Sequence, residues 1–348
     1  MPEAALSPAA PQAAPPPAPP RRAGERAADV ARRLVNSQPG VLLAVIVALA
    51  LLLQADNPVF LSHDNVITLL RSAVTTFVIG CAATVVFTSG GLDLSVGSYF
   101  NIGGIVVALL MVHGVAWPLA VLIGLLAGAA LGLVNAALIV VARIPPIIAT
   151  LATFYAVGGL SIIVTDGASV APLPQGFNDV GQGLFLGVPN LIFYAVVLGI
   201  VFHLLLAKTR FGYDVQTVGG NEFAALATGV RVRRVRATVY LLSGAISALA
   251  GILYTARTGT GDPLAGGADL TFNVITAVLI GGTSLFGGIG SIAGTAMGSI
   301  LFAVIQNGLT VAGVNPMYSN VIIGSILAAA VALDSWRRSQ AFAVGRGR

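Results

Sequence analysis

Few residues of this 348-residue chain are of types that do chemistry, and their spacing excludes most reactions. His63, His113 and His203 are scattered near the ends of apolar stretches, so neither a zinc set nor a nucleophile with its base has support. The lone lysine, Lys208, is followed by Thr209 but preceded by Ala207 and no glycine-rich loop. The phosphate-binding pattern G-x-x-x-x-G-K-[ST] is therefore absent, and if ATP is used, another chain must bind it. Gly288, Gly290 and Gly294 carry one residue too many for the dinucleotide pattern G-x-G-x-x-G and lie in an apolar run. No catalytic residue, metal ligand or cofactor is expected. The single cysteine, Cys81, sits in an apolar window and reads as a small core residue without a disulfide partner.

Three polar segments remain. Asp93, in Thr88-Ser-Gly-Gly-Leu-Asp-Leu-Ser-Val-Gly-Ser98, is the acid most deeply set between apolar stretches. A charge at membrane depth costs about 2.5–3.5 kcal/mol, so it faces a cavity or a partner. Alternatively Asp93 or Ser95 caps the helix that follows, and the two roles are compatible. A second glycine-rich break, Ile280-Gly-Gly-Thr-Ser-Leu-Phe-Gly-Gly-Ile-Gly-Ser291, carries no charge and reads as a re-entrant turn or a plain hairpin. Gln306 and Asn307 follow in mid-stretch, where amides bond either hydroxyl-bearing solutes or neighbouring helices. The third segment runs Gly219-Gly-Asn-Glu-Phe-Ala-Ala-Leu-Ala-Thr-Gly-Val-Arg-Val-Arg-Arg-Val-Arg236. Asn221 can cap a short helix that Gly229 ends, with Glu222 at its positive end. Such a helix suits docking into a groove on another protein, or lying on the membrane surface among its four arginines.

The elements that hold these segments must be membrane spans. Charged residues make up 9% and hydrophobic residues 56% of the chain, and mean hydropathy is +0.92. A soluble chain carries about 25% charged residues. Charge-free windows, among them Leu94 to Ala142 and Leu270 to Leu333, leave room for ten spans of about 20 residues. They fall near 37–55, 73–90, 95–113, 117–141, 146–165, 188–207, 237–256, 271–286, 291–311 and 317–334. The expected fold is an all-α transmembrane bundle, both termini cytoplasmic, with broken or re-entrant glycine-rich segments. Its parts are a Pro/Ala-rich then basic tail over 1–36, disordered in part, a membrane domain over 37–335 and a basic tail over 336–348. A pI near 9.8 and a net charge of +5 point to nucleic acid at first sight, but distribution excludes that reading. On the ten-span arrangement 16 of 18 basic residues fall on one side, and only Arg71 and Arg257 on the other. That asymmetry orients basic loops toward the cytoplasm.

Between the first two spans, residues 57–72 mix apolar side chains with Asp64 and Arg71 and read as an interfacial segment. Residues 166–187 form the longest external loop, a passive connector or a contact for an outside partner. Gly124, Gly128 and Gly132, like Gly294 and Gly298, repeat every four residues and mark close helix packing. A faint internal echo pairs Gly90 and Gly91 with Gly281 and Gly282, as repeated halves would.

At the three polar segments the chain resembles the permease subunits of bacterial ABC importers for monosaccharides, the ribose, galactose and xylose group. Residues 88–97 look like that family's TGGIDLSVG, 219–229 like GGNEEAARLSG and 280–290 like IGGTSLFGGRG, with Asn307-Gly-Leu309 a shorter match. The resemblance implies a permease dimer in the inner membrane, of two identical chains or of paralogues. It implies a cytoplasmic ATPase docked on the loop 207–236 around Asn221, Glu222, Ala224, Ala225 and Gly229, and a periplasmic sugar-binding protein that delivers substrate. Phe223 departs from the pattern, standing where the family has an acid, which makes the docking helix more apolar. On this reading the cavity between two copies alternates its access, and Asp93, Ser95, Thr283, Ser284 and Asn307 are the expected polar lining. An ion-coupled transporter would need protonatable relays, and Asp93 stands almost alone. A membrane enzyme would need paired acids, ligands or an activated nucleophile.

Overall fold

In lipid every backbone polar group needs an internal partner, and helices supply it within each segment. The computed structural model describes residues 38–315, 318, 321–322, 324–329 and 331–332. The expected tails, and part of the expected tenth span, lie outside the described residues. The helices run α1 (Gln38–Asp56), α2 (His63–Thr88), α3 (Val96–Val112), α4 (Trp117–Ala136, continued by a π turn at Ala137–Val141), α5 (Pro146–Ile163) and α6 (Gln175–Gln182). A hairpin of β1 (Leu184–Phe185) and β2 (Val188–Pro189) precedes α7 (Asn190–Lys208), α8 (Arg210–Gly220), α9 (Glu222–Ala227), α10 (Val232–Thr258), α11 (Ala268–Ile280) and α12 (Ile292–Val311).

Seven of these are long and apolar enough to cross a membrane: α1, α2, α4 with its π turn, α5, α7, α10 and α12. They occupy seven of the expected span positions. The third and eighth positions hold shorter apolar helices, α3 with 17 residues and α11 with 13. At 1.5 Å per residue these reach only about 26 and 20 Å, against a hydrocarbon core of about 30 Å. Irregular backbone adjoins both. Residues 259–267 run beside α3 before α11 begins, and Asn101 satisfies them: its Nδ2 donates to Pro263 O at 2.7 Å and its Oδ1 accepts from Gly266 N at 2.6 Å. Thr271 Oγ1 accepts from Gly97 N at 3.2 Å and donates to Gly267 O at 2.9 Å. Within this non-helical chain Gly261 and Pro263 are buried, and its hydrogen bonds to protein meet the condition under which a membrane tolerates irregular backbone.

The second helix starts ten residues before the expected 73, and residues 63–72 turn one face to α12 while His63, Asp64, Thr68 and Ser72 stay exposed. Asn65 and Asn307 exchange amide hydrogen bonds of 2.8 and 2.9 Å there, and Asn57 Nδ2 donates to Val311 O at 3.2 Å. The expected eighth span, 271–286, ends at Ile280, where Gly281 and Gly282 turn the chain. Loop 166–187 holds a short helix: α6 buries Phe177, and Gln182 Nε2 donates to Arg257 O at 3.1 Å on the end of α10.

Burial is sorted as lipid would sort it. On α1, α4, α5 and α7 large apolar side chains such as Leu52, Leu126, Ile163 and Val197 are exposed, whereas α2, α3, α10 and α12 form the packed interior. The glycine repeats act there. A methyl at Gly128 would lie 2.7 Å from Gly244 O, and one at Gly103 2.5 Å from Ala248 Cα, so α10 approaches α4 and α3 backbone to backbone. Close approach of this kind replaces the missing hydrophobic drive between helices in lipid.

Candidate functional site

The three polar segments converge on one end of the bundle. Thr88 ends α2, and its carbonyl accepts Gly288 N at 2.9 Å from the turn between α11 and α12. Gly219, in the last turn of α8, lies against both: a methyl there would overlap the Thr88 carbonyl oxygen and sit 2.8 Å from Gly288 N. A methyl at Gly287 would be 2.6 Å from Gly219 O and 2.9 Å from Gly90 Cα. Three backbones thus touch with nothing between them. Gly90 and Gly282 occupy the same place in the two turns, each with positive φ (74° and 88°) two residues past its helix. The sequence echo, which aligned Gly90 with Gly281, is offset from this backbone likeness by one residue.

Asp93 sits just inside that end and is buried. Its Oδ1 accepts from Ser95 N at 2.9 Å and from Ser95 Oγ, and its Oδ2 accepts from Ser243 Oγ at 2.7 Å on α10. Ser95 Oγ in turn accepts from Asn135 Nδ2 at 2.9 Å on α4, and Asn135 Oδ1 accepts from Thr153 Oγ1 at 2.8 Å on α5. The carboxylate therefore caps the approach to α3 and heads a polar chain through three further helices. Ser243 lies seven residues up α10 from Arg236, a depth of about 10 Å at the helical rise.

The other expected lining residues are placed separately. Thr283 and Ser284 are buried in the α11–α12 turn, where Thr283 Oγ1 accepts from Ser291 N at 3.3 Å and Ser284 N donates to Ile289 O at 3.0 Å. Asn307 faces Asn65 in the pair described above. The structure thus brings Asp93 and Ser95 together, and Thr283 and Ser284 together, while Asn307 belongs to the α2–α12 seam.

The loop 207–236 holds two helices, α8 and α9, where one was expected. Thr209 caps α8 by accepting Gly212 N at 3.1 Å, and Phe211, Val215 and Val218 turn inward at helical spacing. Asn221 then caps α9 by accepting Ala224 N at 3.0 Å, and Gly229, at φ 83°, releases the chain after it. Ala225 is buried, and Ala224 is exposed. Glu222 pairs with Arg236 at 2.7 Å, tying α9 to α10. Phe223 and Leu226 stand out, 86% and 55% exposed.

Reading the sequence missed Ser243, Asn135, Thr153 and Asn101, the polar partners that complete these networks. Their signal was present: each is a hydrogen-bonding residue inside an otherwise apolar window. Gly219 was quoted only as part of a motif, though its contacts make it the joint between segments.

Comparison with known proteins places this geometry. A family model described as the permease component of branched-chain amino acid transport systems matches residues 65–331. The ribose import permease protein of Bacillus subtilis is 39% identical over 288 residues, covering 82% of this chain and 89% of its own. The L-arabinose ABC transporter permease protein of Azospirillum brasilense is 36% identical over 339 residues, covering 97% and 94%. The D-allose transport system permease protein of Escherichia coli K12 is 33% identical over 294 residues, covering 84% and 89%. No solved structure matches significantly.

Proposed function

The chain belongs to the family described as the permease component of branched-chain amino acid transport systems, and on that premise we propose that it is the membrane subunit of an ATP-driven sugar importer. It is a multi-pass protein of the bacterial inner membrane and carries a monosaccharide or similar small polyhydroxy solute inward. The relatives named for ribose, L-arabinose and D-allose support that substrate class over amino acids.

Ten spans with both termini cytoplasmic account for the charge asymmetry, and the end bearing Arg231 to Arg236 is then the cytoplasmic one. A separate ABC ATPase hydrolyses ATP and docks on α9, around Asn221, Glu222, Ala224, Ala225 and Gly229. A periplasmic binding protein delivers sugar to the opposite face, and two permease copies, identical or paralogous, enclose the path. Asp93, Ser95, Thr283, Ser284 and Asn307 are its polar residues.

The observation that carries this reading is the contact of Gly219 with Thr88 and the 287–288 turn, one residue pair before the docking helix begins. A push on α9 is delivered through α8 to the ends of α2, α11 and α12 without an intervening side chain. Close-packed interiors transmit such displacements. A second reading, in which Asp93 relays protons, would need further protonatable acids or histidines beside it, whereas Asp93 accepts from Ser95 and Ser243.

Labelling tests the arrangement. Cys81 is fully buried, so Phe223→Cys supplies the one reactive thiol among the described residues. A membrane-impermeant maleimide should modify it only in inside-out vesicles, and bound ATPase should protect it. Modification from the periplasmic side would refute the docking assignment.

A further inference from the structure

Beside α9, α8 and the first turns of α10 border a cavity of about 620 Å³ that is open to solvent. Its wall carries three guanidiniums, Arg210, Arg231 and Arg234, and one carboxylate, Asp214. None of the four makes an ion pair among the described residues, in contrast to Arg236, which Glu222 neutralises. The wall therefore bears a net charge of +2, from three positive groups and one negative. Arg210, Arg231 and Arg234 are exposed, so water and salt screen them in the uncovered chain, and the planar fork of each matches a carboxylate with two parallel hydrogen bonds.

The position of the cavity selects its occupant. Thr228 and Gly229, which close α9, also form part of the rim. A protein seated on the exposed Phe223 and Leu226 consequently covers the mouth and removes water from the guanidiniums. Cations desolvated without partners are strongly destabilising, so the covering surface must bring acids with it. Resting on the reading that an ATPase docks on α9, we propose that this cavity is a socket for a carboxylate-bearing segment of that ATPase. Phe223 supplies the apolar anchor and the arginines supply orientation and register.

Co-purification of the full-length chain with its cognate ATPase, at increasing salt, tests the proposal. Arg231→Glu combined with Arg234→Glu should lower retained ATPase by about tenfold or more at physiological ionic strength. Arg233→Glu, exposed but outside the cavity, should stay within about twofold, as a rim charge does. Equal losses from both would reveal a diffuse positive field and overturn the socket. Full retention by the double variant, while Gly229→Trp loses the ATPase, would overturn the socket and leave the docking reading standing. Retention by Gly229→Trp as well would remove the docking reading and the socket with it. Unchanged retention with loss of thermal stabilisation by phosphatidylglycerol would reassign the cavity to a lipid headgroup and likewise overturn the proposal.

Discussion

Gly219 and Thr88 meet backbone to backbone, from helices whose sequence positions are 131 residues apart, and no side chain fits between them. This contact joins α8, which leads into α9, to the end of α2. Gly219→Ala should therefore insert and fold while overpacking the joint, at a cost of about 1–3 kcal/mol. We expect a lower Tm and ATPase activity no longer matched by sugar uptake. Gly159→Ala, where a methyl meets nothing within 4 Å, is the control and should leave both unchanged. Normal uptake by Gly219→Ala would show that the joint transmits nothing.

Asp93 organises its neighbours through hydrogen bonds to a buried carboxylate, each worth about 1.5–3 kcal/mol. Asp93→Ala leaves Ser95 and Ser243 without their acceptor and should lower thermal stability more than Ser243→Ala does. The double variant should cost less than the sum of the two, because the pair shares one interaction. Additive losses in thermal denaturation would mean that the two residues act independently.

The Asn65–Asn307 pair is reciprocal, so losing Asn307 leaves Asn65 Oδ1 without its donor, while Asn65 Nδ2 keeps its bond to Phe60 O at 2.7 Å. Asn307→Leu alone should destabilise by about 1–3 kcal/mol through an unsatisfied amide, and Asn65→Leu added to it should recover part of that loss. A double variant no more stable than the singles would argue against a mainly structural role and favour a place on the solute path. Uptake assays on the same proteins separate the two.

Glu222 and Arg236 are both partly exposed, at 33% and 42% of their side chains for Arg236 and Glu222 respectively, so their ion pair contributes at most about 1 kcal/mol. Glu222→Arg should accordingly leave Tm nearly unchanged while weakening ATPase co-purification, because a like charge beside Arg236 reorients α9. A large fall in Tm with unaltered co-purification would make the pair structural rather than functional.

Much of this was legible beforehand, for reasons that can be named. The apolar windows identify lipid-crossing helices because length and hydropathy alone decide them, and the Asn221 cap and Gly229 exit mark α9 because capping chemistry is local. Helix α8 escaped notice because its inward residues, Phe211, Val215 and Val218, are separated by polar ones in a loop judged by charge. The descending backbone of residues 259–267 was out of reach for a different reason. Only its meeting with Asn101 and Thr271, distant in sequence, makes an irregular path there tolerable. The convergence of the three glycine-rich segments is likewise a tertiary fact that no single segment carries.

On the proposed function, mechanical work enters from an ATPase and leaves as sugar movement. Vesicles reconstituted with this chain, its cognate ATPase and its binding protein should accumulate radiolabelled monosaccharide only when ATP is present on the ATPase side. Accumulation by this chain alone, driven by a proton gradient, would contradict it.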